Sequence, residues 1–171
     1  MNFRSNFRRL INEVGCDFVH QLPYPHVELF FWQPDDGTLN FGDHLSIVVV
    51  DQCLRSFGYT LADEVSRAAR MLAIGSILHY ARNDDVIWGS GLNGRPGQDD
   101  LNRRVQYLDV RAVRGPRTQE ILRRRGLAVP DVFGDPALLL PQLFPGRFQR
   151  RQTRPWIFVP NLHDVDLVNR T

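Results

Sequence analysis

The run YLDVRAVRGPRTQEIL, from Tyr107 to Leu122, limits most narrowly what this chain can fold into. Leu108, Val110, Ala112 and Val113 form an apolar run that reads as a buried strand. Gly115 ends it. Pro116 then takes the favoured first position of a helix carrying Glu120, Ile121 and Leu122. A buried strand leading directly into a helix is the repeating unit of a parallel α/β sheet. In such sheets ligands bind beyond the carboxyl ends of the strands, where helix N-termini expose unpaired N–H groups. Arg111, Arg114 and Arg117 surround this turn, and a guanidinium is a planar fork of donors suited to phosphate or carboxylate. The turn is therefore a candidate anion site. The alternative is that the arginines are surface residues paired with Asp109, Glu120 or solvent.

The rest of the chain repeats the unit. Val27 to Trp32 is a short apolar run that reads as the first strand. A polar loop holding Gly37 and Gly42 leads into a helix expected from about Asp43 to Phe57, with Asp43 as N-cap or first-turn residue. Leu45, Ile47, Val48, Val49, Gln52, Cys53 and Leu54 are expected on or near its core side. Tyr59 to Arg70 reads as a partly helical connection, and Met71 to Ile74 as a strand followed by a helical turn through His79. Val86 to Trp88 is another strand, and Asp131 to Phe133 one more, before the apolar run Ala137 to Leu143. The pattern predicts a parallel, doubly wound α/β sheet: Rossmann-like, with flanking helices.

Composition is that of an ordinary globular protein, with a net charge of only +2 and no lysine at all. The 21 arginines are offset by 19 acids, so no nucleic-acid partner is expected. Cys16 and Cys53 are far apart and form no CxxC, which fits a reducing cytoplasm and no thiolate metal site. The N-terminus is broken by Arg4, Arg8 and Arg9 and is not a secretory signal. It places Phe3, Phe7, Leu10, Ile11 and Val14 on one helical face. That face either packs on its own domain or rests on an anionic membrane.

Several strand ends carry residues with chemistry. Gly89, Gly91 and Gly94 fit GxGxxG, but Arg95-Pro96-Gly97 is a poor start for the helix a dinucleotide site needs. What remains is a flexible loop, Gly89-Ser90-Gly91, open to ligand approach. Asn40-Phe41-Gly42-Asp43-His44 lies at another strand-to-helix turn. Asp43 there either orients a hydroxyl or acts as a base, or it only caps the helix; His44 would titrate near neutrality. Gly134-Asp135-Pro136 reads as a tight turn without chemistry. The five histidines show no metal-ligand spacing, and no GxSxG or Walker motif occurs.

In order, FFWQPDDGTLNFGDHLS, MLAIGSILHYARNDDVIWGSGLNG and LDVRAVRGPRTQEILRRRGLAVPDVFGDPALLLP resemble the polysaccharide pyruvyl transferases. The resemblance is strongest to the ketal pyruvate transferases of bacterial exopolysaccharide synthesis, the kind that decorates xanthan, and covers roughly residues 29 to 160. It implies the N-terminal half of a GT-B-like two-domain fold with the active site in the cleft. It implies phosphoenolpyruvate as donor substrate, no other cofactor, and a lipid-linked oligosaccharide acceptor at the cytoplasmic face of the inner membrane. Arg114 matches the family's strand-end arginine and would contact the donor. Asn40, Gly42, Asp43 and His44 match its N-terminal loop. Asp43 and Arg114 are thus the expected catalytic residues, with Asn40, Gly42, His44, Gly89, Ser90, Gly91 and Arg117 in substrate binding.

The family's Ser-x-His-type motif of the second half has no match, and His163 does not supply it. The expected layout is therefore an N-terminal amphipathic helix and linker at 1–26, a Rossmann-like domain at 27–145, and a linker with the first strand of a truncated second domain at 146–171. The isolated chain would then be inactive or need a second polypeptide. Two other readings stay open: the N-terminal domain of a nucleotide-sugar glycosyltransferase, and a non-catalytic module that binds glycans or membrane surfaces.

Overall fold

The computed structural model describes residues 26–35, 40–63, 68–93, 101 and 104–148. The expected N-terminal amphipathic helix, the strand expected from Trp156 to Val159 within the 146–171 segment, Gly94 and His163 lie outside them. Four strands pair in parallel, in sequence order: β1 (His26–Phe30), β2 (Ala68–Leu72), β3 (Val86–Trp88) and β4 (Asp109–Ala112). Val113 extends the sheet by a single parallel bridge to Phe133. The strand expected at Asp131 to Phe133 is thus one bridge rather than a ladder. Strand order does not reverse among the described strands, although both faces are covered as in a doubly wound sheet.

Those two faces follow from the two-residue period of a strand. Ala69 and Met71 of β2 and Val86 of β3 point to one side, Leu72 and Ile87 to the other. On the first side packs α1 (Phe41–Ser56), through Val49, Val50 and Cys53. Leu139 and Leu140 join it there, from a 3-10 turn (Pro136–Leu139) and the short α3 (Leu140–Leu143). On the second side lie a 3-10 turn (Leu78–Tyr80) and α2 (Pro116–Arg124), which buries Leu122. Full burial of side chains such as Leu72, Ile87 and Leu122 contributes about 1.5–3 kcal/mol each. The fold is α/β and Rossmann-like. Among the described residues no helix is long and apolar enough to cross a membrane.

Three boundaries differ from the sequence expectation. The first strand is His26–Phe30 and stops two residues short of Trp32. The second begins at Ala68, not Met71, because pairing with β1 runs the full length from His26↔Ala68 to Phe30↔Leu72. Arg70 is carried inside that strand by a specific partner. Its Nη1 donates to Asp85 Oδ2 at 2.5 Å, and the guanidinium lies 4.4 Å from the centroid of the Phe30 ring. Asp85 is buried and also accepts from the backbone N–H of Arg82 at 2.8 Å. Burial pushes its carboxyl up, while Arg82 and Arg70 pull it back. α1, finally, starts two residues early, at Phe41, and its inner stripe is Asp43, Ser46, Val49, Val50 and Cys53. Val48, expected on the core side, is exposed.

The Arg70–Asp85 pair ties β2 to the turn before β3, and removing one partner leaves a buried charge alone. Arg70→Ala should cost about 3 kcal/mol in urea unfolding. The double variant Arg70→Met/Asp85→Leu should recover most of that loss.

Candidate functional site at the carboxyl edge of the sheet

Because every strand runs the same way, the segments that follow them meet at one edge. They are 40–43 after β1, 73–76 after β2, 89–91 after β3, 113–115 after β4 and 134–136 after the Phe133 bridge. Backbone hydrogen bonds sew them together. The carbonyl of Gly75 accepts from the Gly91 N–H at 3.1 Å and from Ser90 Oγ at 3.1 Å. Arg114 N–H donates to the Ser90 carbonyl at 3.2 Å, and Gly91 C=O accepts from Leu78 N–H at 3.3 Å. On the other side, Ser46 Oγ sits between the carbonyl and the N–H of Ile74, fixing α1 to the end of β2.

Asp43 is the centre of the arrangement. It lies in the first turn of α1 and is only 7% exposed. It is not a cap: Asn40 holds the N-cap position, and neither side chain caps the backbone. Instead Asn40 Nδ2 donates to Asp43 Oδ2, and Asp43 Oδ1 is buried without a hydrogen-bond partner. That oxygen rests against the bare Cα of Gly75, whose φ is +115°. A Cβ at Gly75 would come within 2.0 Å of it. Burial raises the Asp43 carboxyl from its ordinary 3.8 to about 6. Arg114 and the Asn40 hydrogen bond oppose this rise, and Asp135 adds to it.

Arg114 faces this carboxylate from the end of β4. Its Nη1 donates to Ser76 Oγ at 2.8 Å, and its Nε, buried without a hydrogen bond, stands 3.5 Å from Asp135 Oδ2. The Arg114 side chain keeps 36% of its surface exposed although its guanidinium is tied to Ser76 and faces Asp135. Two helix N-termini adjoin the same edge, α1 at Phe41 and α2 at Pro116, and no side chain caps either. Their dipoles favour negative charge there.

The other sequence candidates divide. Asn40 orients Asp43, and Gly42 is exposed beside it. His44 turns to Phe31, with ring centroids 6.1 Å apart and edge to face. Arg111 pairs with Asp109 in its own strand at 2.5 and 2.8 Å, as the surface alternative held. Arg117 is exposed in the first turn of α2. The expectation of an open, flexible Gly89-Ser90-Gly91 loop is corrected: all three are buried. A Cβ at Gly89 (φ +89°) would strike Pro136 Cδ at 2.3 Å and the Gly134 carbonyl at 2.7 Å. Gly91 packs against Arg114 Cβ and Thr118. Ser90 and Gly91 thus support Arg114 from below, and Gly89 receives the Gly134–Pro136 turn.

Sequence reasoning missed Gly75, Ser76 and Asp135. Asp135 does close a turn, accepting from Ala137 N–H at 3.0 Å, but its second oxygen faces Arg114. The signal available in the sequence was position: each follows an expected strand, as Asp43 and Arg114 do. Cys53 is buried, and burial pushes its thiol up to about 12, which removes it from chemistry. Among the described residues no group of three or more His, Cys, Asp or Glu side chains is placed to hold a metal ion.

A family model described as polysaccharide pyruvyl transferase matches residues 10–170 of the chain. Comparison with curated proteins and with solved structures finds no match.

Two outcomes follow from the packing of Asp43. Gly75→Ala should displace the carboxylate and destabilise the fold by about 2 kcal/mol or more. Adding Asp43→Ala should return part of that loss, which chemical denaturation of the two singles and the double would show. The raised carboxyl also links stability to pH. Between about pH 4 and pH 6 the folded chain holds a proton that the unfolded chain releases, so Asp43 weakens the fold as pH rises through that window. The stability difference between wild type and Asp43→Asn should therefore shift by about 2 kcal/mol in favour of the variant between about pH 4 and pH 8.

Proposed function

The chain belongs to the polysaccharide pyruvyl transferase family, and from that premise we propose that it transfers pyruvate from phosphoenolpyruvate to a sugar. The acceptor is the terminal sugar of a lipid-linked exopolysaccharide repeat unit, and the product is a cyclic ketal like that on xanthan. Two sugar hydroxyl oxygens bond to C2 of the donor. The bond from C2 to the phosphate oxygen breaks, C3 gains a proton to become a methyl group, and phosphate leaves. Of the two hydroxyl protons, one balances the methyl group and the other departs with phosphate, so no oxidant or reductant is required.

The observation that carries this reading is the pairing of Asp43 and Arg114 across one edge. The reaction must deliver a proton to carbon and remove protons from oxygen. A carboxyl near pH 6 is populated in both forms near neutrality, which suits it to either task. Asp43 would take a proton from an acceptor hydroxyl or return one to the reacting carbon. Arg114 would take the donor's carboxylate or phosphate in a charge-assisted fork. The uncapped N-termini of α1 and α2 add positive potential, and Gly42 leaves the approach to α1 free of a side chain. Asn40 would serve by fixing Asp43, and His44 and Arg117, near the starts of α1 and α2, would bind substrate. Work on a membrane-anchored acceptor would place the protein at the cytoplasmic face of the inner membrane.

Phosphate release from phosphoenolpyruvate in the presence of a glycolipid acceptor tests the reading. Arg114→Ala should weaken donor binding by about 100-fold, and Asp43→Asn should lower turnover by about 100- to 10,000-fold with donor binding retained. Measurable phosphate release at the same rate by wild type and Asp43→Asn would overturn the assignment.

A further inference from the structure

Arg114 and Asp43 are near enough for the guanidinium to lower the carboxyl, yet they form no ion pair. Two opposite charges in a buried setting attract strongly, so something keeps them apart. The restraints are specific. Ser76 Oγ takes Nη1 at 2.8 Å, and Asp135 Oδ2 stands 3.5 Å from Nε. Asp135 is itself fixed, because its other oxygen accepts the Ala137 N–H at 3.0 Å. Pro136, next to it, is buried over the bare Cα of Gly89. The Asp-Pro turn is therefore clamped to the end of β3, and its carboxylate cannot drift from Arg114.

We propose that Asp135 is a positioning residue for the transfer reaction: with Ser76 it holds the Arg114 guanidinium off Asp43 and keeps its fork available to the donor. The inference rests on reading Asp43 and Arg114 as the reacting pair. Asp43 Oδ1 is a buried acceptor against Gly75, and Arg114 Nε is a buried donor turned to Asp135, each without a hydrogen bond. Without Asp135 the guanidinium would close on Asp43. Both unpartnered atoms would then be satisfied internally, and the fork would no longer be available to an anion.

The charged groups that face Asp43 are Arg114, from the turn after β4, and Asp135, from the turn beyond it. Gly75 and Ser76, on the segment after β2, do not titrate. His44, on the same helix as Asp43, turns to Phe31. Neutralising Asp135 removes a like charge from Asp43, a direct effect that exists whether or not Arg114 moves. A double-variant cycle separates the two.

The Asp43 carboxyl carbon is followed by NMR through a pH titration of the 171-residue chain, its signal assigned by loss in Asp43→Asn. Asp135→Asn keeps an acceptor for the Ala137 N–H. It should move the Asp43 midpoint down by about one pH unit or more, as Arg114 closes on it. In the Arg114→Met background the same substitution should move it by less than half as much. Shifts of equal size in the two backgrounds, or no shift in either, would overturn the positioning role. If Asp135→Asn does not fold, Asp135→Ser retains a side-chain acceptor and the same cycle is run with it. Calorimetry of phosphoenolpyruvate binding to the unmodified chain stands apart from this. Failure to bind would remove the donor assignment, whereas the carboxyl titration alone decides the role of Asp135.

Discussion

A carboxylate buried short of its counter-ion governs this structure. Asp43 has been taken out of water, given one amide donor and set against a glycine that leaves no room for anything larger than hydrogen. Arg114 is within electrostatic reach but tied to Ser76 and Asp135. Charge separation of this kind is expensive for the fold, because a buried polar atom without a partner keeps its full desolvation cost. The surrounding architecture can be read as the means of holding it. Ser46 fastens α1 to the end of β2, Gly75 carries the load of Ser90 and Gly91, and Gly89 accepts the Asp-Pro turn.

Parallel strands make this possible. An antiparallel sheet would send alternate strand ends to opposite edges. Here every strand delivers its following segment to the same edge, so five separate stretches of sequence contribute to one site. The Arg70–Asp85 pair secures the sheet from within, before the start of β3 and away from the carboxyl edge. Burial elsewhere is ordinary: apolar residues alternate to two faces, with α1 on one and α2 on the other.

Much of this was legible in the sequence. The strand Val86–Trp88 and the helix beginning at Pro116 agree with expectation, because a β-branched apolar run and a Gly-Pro start each leave few alternatives. Asp43 and Arg114 stood out by their place after expected strands. What misled was local character. Gly89-Ser90-Gly91 looks mobile in a sequence, yet small residues pack as well as they bend, and this loop is buried. Asp135 looks like a turn residue, and it is one, with its second oxygen free for another task. Val48 looks like core because it is apolar, but the helix is rotated to turn Asp43 and Ser46 inward instead.

The sequence by itself determined the alternation of strands and helices, the parallel sheet and the kinship with a transferase family, since these depend on local pattern and on motif order. Only the tertiary structure decided that Gly75, Ser76 and Asp135 belong with Asp43 and Arg114, and that Arg111 does not. The reason is that pairing between charges, and the burial that shifts a carboxyl's proton affinity, are set by distances across the sheet edge. Residues 43, 75, 114 and 135 have no sequence neighbourhood in common, and only the register of the strands beneath them makes them neighbours.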